Sequence, residues 1–92
     1  MTTNKINAET MRKVYEENYE TFLKKNADYG DSFEMSLNLL GIKTGVTRIT
    51  DKFYRLVNLT DDKEILVDES LSDTLKDMAN YCLMLAVWLE EL

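Results

Sequence analysis

Glu69-Ser70-Leu71-Ser72-Asp73-Thr74-Leu75-Lys76-Asp77-Met78-Ala79-Asn80-Tyr81-Cys82-Leu83-Met84-Leu85-Ala86-Val87-Trp88-Leu89 is the stretch that decides the fold. It holds neither glycine nor proline, so nothing in it breaks a helix. The helix is expected to open near Asp68 or Ser70 and to continue to Leu92. Its first half is amphipathic. From Tyr81 to Leu89 it is apolar almost all round, which 92 residues cannot cover by themselves. A subunit interface on this last helix is therefore expected; a central, fully covered helix is the other reading.

Working outward, the whole chain has no proline and only three glycines, which favours long helices. Met11, Tyr15, Tyr19 (or Asn18), Phe22 and Leu23 recur at helical spacing and predict a first helix from about Ala8 to Asn26. Asn7 suits its N-cap, and Glu9 faces the positive end of the dipole. After Gly30, Asp31 and Glu34 have the spacing of a capping box. They open a second helix over Ser32–Leu40, with Phe33, Leu37 and Leu40 inward and Gly41 as C-cap. Gly41 to Gly45 reads as a turn or loop. A third helix follows from about Val46 to Leu59, with Thr44 as N-cap and Val46, Ile49, Phe53 and Leu56 as its apolar stripe. Thr60 to Asp68 is a connector in which Ile65-Leu66-Val67 forms a short extended piece or a packed loop. The expected architecture is all-α, a single domain over residues 1–92, a bundle of about four helices that oligomerises through its last one.

Composition excludes much chemistry. Without histidine there is no Ser-His-Asp triad, no Cys-His pair and no imidazole ligand. A lone Cys82 makes neither an internal disulfide nor a cysteine-rich zinc site, and suits a reducing compartment. There is no apolar run of transmembrane length, and the first residues lack that of a signal peptide, so the cytoplasm is the expected location. The net charge of −6 argues against broad nucleic-acid binding. The charge is uneven. Lys43, Arg48, Lys52 and Arg55 form a cationic segment, and an acidic one runs from Asp61 to Asp77.

Glu69, Asp73, Asp77 and Asn80 fall in one quadrant of the last helix at 100° per residue. Stacked carboxylates repel, and two kinds of compensation are natural: a hard divalent cation such as Mg²⁺, or bases from a neighbouring helix. A plain solvated face is the alternative. On the third helix Arg48, Lys52 and Arg55 share a face beside Asp51. They suit phosphate, or an ion-pair lattice with the next helix. Between the first and second helices, Lys24 to Phe33 sets a helix N-terminus beside Tyr29 and Phe33, whose ring faces suit a base.

Three motifs in this order resemble one family. They are Lys25-x-x-Asp28-Tyr29-Gly30-Asp31-Ser32-Phe33, Asp51-Lys52-x-x-Arg55-Leu56, and Asp68-Glu69-Ser70-x-x-Asp73-x-x-x-Asp77-x-x-Asn80-Tyr81. The resemblance, over about residues 24–88, is to the nucleotide modification associated domain 1 family of phages and bacteria. That family is similar in helical layout to the all-α MazG-like nucleoside triphosphate pyrophosphohydrolases. The wider kinship implies an oligomer, Mg²⁺ held by helix carboxylates, and cleavage between the α and β phosphates. Under it, Glu69, Asp73 and Asp77 are the metal ligands, and Asp51 and Asp73 the catalytic carboxylates. Lys25, Asp28, Tyr29, Phe33, Arg48, Lys52, Arg55 and Asn80 bind substrate. The chain departs from the MazG-like pattern in two ways. The third helix has one carboxylate where three are usual, and the fourth spaces its acids by four rather than three. Two other readings therefore stand beside the hydrolase: a nucleotide-binding or signal-sequestering module without turnover, and a structural adaptor.

Overall fold

The computed structural model describes residues 4–29, 31–61 and 69–91. It contains four helices, α1 (Ala8–Tyr29), α2 (Ser32–Leu40), α3 (Ile42–Thr60) and α4 (Glu69–Glu90), and no strand among the described residues. The chain divides into two compact units, Met1–Gly30 and Asp31–Leu92. Among the described residues no helix is long and apolar enough to cross a membrane.

In the first unit, α1 starts where the sequence places it. Asn7 Oδ1 accepts the Thr10 N–H at 3.0 Å, and Thr10 Oγ1 accepts the Asn7 N–H at 3.1 Å. Each satisfies one donor that a helix start leaves orphaned. The helix ends later than expected, at Tyr29 instead of Asn26, so Asp28 and Tyr29 belong to its last turn.

In the second unit, α2 has the expected limits, but its capping box does not form. The Asp31 side chain makes no cap hydrogen bond, and only its carbonyl engages, accepting from Met35 N–H at 2.9 Å. Leu37 is buried as expected, whereas Leu40 is 69 % exposed. Leu40 is the last residue of α2, and Gly41 redirects the chain before anything covers it.

The predicted loop from Gly41 to Gly45 is a single residue. Gly41 caps α2, its N–H donating to Leu37 O at 2.8 Å, and its own carbonyl accepts from Thr44 N–H at 3.1 Å in the first turn of α3. Its φ of 87° and ψ of −175° lie in a region essentially reserved for glycine. Thr44 is thus inside α3, not its N-cap. Gly45 is no breaker either: it is buried within α3, under the side chain of Leu85.

Gly45 faces Leu85, Lys52 faces Asp77 and Arg55 faces Thr74, so α3 and α4 run antiparallel. α2 packs on α3 and meets α4 through side-chain contacts, in the same order along both helices. The Phe33 and Tyr81 rings meet edge to face at 5.1 Å, and Trp88 Nε1–H donates to Asn38 Oδ1 at 2.9 Å. The face that α3 turns to α4 holds Gly45, Lys52 and Leu56. Of the predicted stripe, Ile49 and Leu56 are half-buried, whereas Val46 and Phe53 are about half exposed. On α4 the packed face holds Thr74, Tyr81 and Leu85. Leu75, Leu83, Val87 and Leu89 stay exposed.

The described residues stop at Asp61 and resume at Glu69. Ile65-Leu66-Val67 lies outside them.

Candidate functional site

The α3–α4 seam brings the basic and acidic stripes together. Lys52 projects from α3 because it stands seven residues, two helical turns, beyond Gly45, on the face that meets α4. Asp77 approaches from the opposite direction, and the Lys52 Nζ lies 2.7 Å from Asp77 Oδ2. The two side chains are 30 % and 21 % exposed. This is a partly desolvated pair, stronger than one in open solvent. It is one contact of the interhelix lattice that the spacing suggests.

One turn further along α3, Arg55 Nε–H donates to Thr74 Oγ1 at 3.1 Å. Thr74 is buried at 4 % exposure, and its hydroxyl proton goes to the Ser70 carbonyl at 2.6 Å. Thr74 is one of the residues that sequence reasoning missed. Its signal was a hydroxyl four residues after Ser70, on a helix face that otherwise packs.

Asp51, Lys52, Tyr54, Arg55, Asn58 and Leu59 border a shallow depression on α3 that is wide open to solvent. Lys52, Arg55 and Asn58 carry donors that suit phosphate oxygens, and the exposed Tyr54 ring suits stacking. Tyr54 and Asn58 were not singled out from sequence. Arg48 is exposed one turn before Lys52 on the same helix.

The other expected site residues are distributed as follows. Asp73 is exposed on α4, one turn before Asp77. Asn80 and Tyr81 continue along α4, both half-buried. Phe33 is half-buried, with Tyr81 against it. Lys25 belongs to the first unit and is exposed there. The side chains of Asp28, Tyr29 and Glu69 lie outside the described residues.

For a divalent cation the chemistry of the donors is right, since Mg²⁺ takes hard oxygen ligands. Asp73 and Asp77, one turn apart, can face one ion. Asp77 is matched by the Lys52 ammonium, which a cation there would displace. Among the described residues no three carboxylate or thiol side chains are grouped to hold a metal.

Comparison with protein families matches residues 25–89 to the model described as nucleotide modification associated domain 1. No curated protein and no solved structure matches the chain.

Proposed function

The chain belongs to the nucleotide modification associated domain 1 family, and from that premise we propose that it binds the phosphates of a nucleotide along the α3–α4 seam. The observation that carries this reading is the pair of tethered cations. Lys52 is held by Asp77 and Arg55 by Thr74, side by side above a shallow, open depression. Cations fixed in place recognise phosphate better than free ones, because less rotamer entropy is lost on binding. Arg48 adds charge at the same face, and Tyr54 offers a ring beside it. Phe33 and Asn80, in the same unit as the seam, belong to the same reading through the family motif.

A second reading makes the protein a MazG-like pyrophosphohydrolase. The neighbouring carboxylates Asp73 and Asp77 favour it. Together with Glu69 they would hold Mg²⁺, which supplies charge neutralisation and an acidified water. In such a cleavage a water oxygen would bond to the α-phosphorus. The bond to the bridging oxygen would break, pyrophosphate would leave with the electron pair, and Asp51 or Asp73 would accept the water's proton. A nucleoside monophosphate would remain.

The proposal includes a homo-oligomer. Among the described apolar residues only Leu37 and Leu85 are buried, a small core for an independent chain. The exposed Leu75, Leu83, Val87 and Leu89 of α4 give a second copy an apolar face to cover.

One experiment separates the readings. The protein is warmed with nucleoside mono-, di- and triphosphates, with and without Mg²⁺, while phosphate and pyrophosphate release are assayed. Stabilisation by phosphorylated but not by unphosphorylated nucleosides is expected. Metal-dependent pyrophosphate release that vanishes in Asp73→Asn establishes the hydrolase. Stabilisation without release leaves a binding or sequestering protein. No response to any nucleotide removes the phosphate reading and returns the chain to the adaptor.

A further inference from the structure

Thr74 is an unusual partner for an arginine. A hydroxyl has one proton and two lone pairs. Here the proton is committed to the Ser70 carbonyl at 2.6 Å, so only lone pairs remain for Arg55 Nε–H at 3.1 Å. Thr74 is therefore locked as an acceptor, and its burial at 4 % exposure excludes competing water. A guanidinium has five donors in a planar fork. Its side-on edge combines Nε with one terminal nitrogen; its end-on edge uses both terminal nitrogens. Engaging Nε removes the side-on edge and leaves the end-on edge intact. A carboxylate in the same place would also orient the fork but would cancel its charge. A hydroxyl fixes the direction and leaves the charge for a ligand.

We propose that Thr74 is the positioning residue that commits Arg55 to end-on, bidentate recognition of a phosphate oxyanion. This rests on the phosphate-binding reading of the seam. It adds a division of labour within that reading. Arg55 supplies geometry, and Lys52, balanced by Asp77, supplies a point charge.

The test uses the full chain with Thr74→Val, Thr74→Ser, Arg55→Ala and the Thr74→Val/Arg55→Ala pair. Valine keeps the shape and removes the acceptor; serine keeps the acceptor. Without ligand, the ¹⁵N-resolved Arg55 Nε–H signal is protected from exchange in wild type and Thr74→Ser, and loses protection in Thr74→Val. With tripolyphosphate as probe, Thr74→Val binds about tenfold more weakly, the scale of one lost hydrogen bond to a charged group. Thr74→Ser binds like wild type, and Thr74→Val has no further effect once Arg55 is alanine. Equal loss in the Arg55→Ala background, or unchanged Nε–H exchange in Thr74→Val, overturns the positioning role. A protected Nε–H in a wild-type protein that binds no polyphosphate overturns the phosphate reading and the proposal's ligand with it. Tight binding by both wild type and Thr74→Val overturns the proposal alone.

Discussion

A methyl group at position 45 would sit 2.8 Å from Leu85 Cδ1 and 2.9 Å from Cδ2, closer than such atoms approach. Leu85 is itself buried, so it has little room to turn away. Gly45→Ala is expected to lower stability by about 1–2 kcal/mol: overpacking of about 1–3 kcal/mol, partly offset by about 1 kcal/mol of helix propensity. In urea melts the penalty should vanish when Leu85 is alanine as well, because the colliding atoms are gone. A full penalty in that background would mean that Gly45 is needed for some other reason. Asp77 offers a second test. Asp77→Asn removes the anion from beside Lys52 and should cost about 1 kcal/mol, as expected for a partly exposed pair. It should also weaken metal-free binding of tripolyphosphate, since Lys52 is no longer fixed in place. Unchanged or tighter binding would show that the Asp77 tether does not aid recognition. These residues also mark what could be read from sequence. Asn7 was legible because a cap is decided within three residues. Gly45 was not, because a glycine that admits a neighbour and a glycine that breaks a helix are the same letter, and Leu85 stands forty residues away.

At the scale of elements, the joint between α2 and α3 depends on one backbone conformation. No atom crowds a Cβ built at Gly41, so any penalty for a side chain there is purely torsional. Gly41→Ala should destabilise by about 1–3 kcal/mol. Gly41→Asn should fare no better than alanine, because ψ of −175° is not the left-handed region that asparagine tolerates. Thermal melts of the two variants would check this, and a rescue by asparagine would contradict it. The number, order and type of the helices followed from periodicity, and α2 matched at both ends. The rotation of α3 followed only in part, and that of α4 did not. α4 has apolar residues on most of its circumference, so its sequence fixes no single inward face. Its partner settled the matter, with Gly45 allowing close approach and Lys52 and Asp77 pairing beside it. The candidate site was legible to the same degree. The charges were found from spacing, and an ion-pair lattice between α3 and α4 stood among the readings, but not the particular Lys52–Asp77 pair. Thr74 escaped because a hydroxyl between Asp73 and Leu75 gives no sign of which neighbour it will meet.

At the scale of the whole molecule, the proposed homo-oligomer would cover Leu75, Leu83, Val87 and Leu89, which are exposed on α4. Sedimentation should find dimers or larger assemblies, with a melting temperature that rises with protein concentration. Leu83→Glu and Val87→Glu should each shift the protein toward monomer and lower its Tm, since a charge on the covered face would be desolvated without a partner. A wild-type monomer whose Tm ignores concentration would contradict the homo-oligomer. The single tryptophan adds a practical consequence. Trp88 is tied to Asn38 where α2 meets α4, eleven residues beyond Asp77 and so about 16 Å along the helix axis. Its fluorescence emission therefore reports the docking of α2 on α4. Phosphates binding beside Lys52 and Arg55 should leave that emission unchanged, while denaturant moves it. On that expectation Trp88 serves as a built-in reporter of folding, and phosphate occupancy is followed by a separate signal.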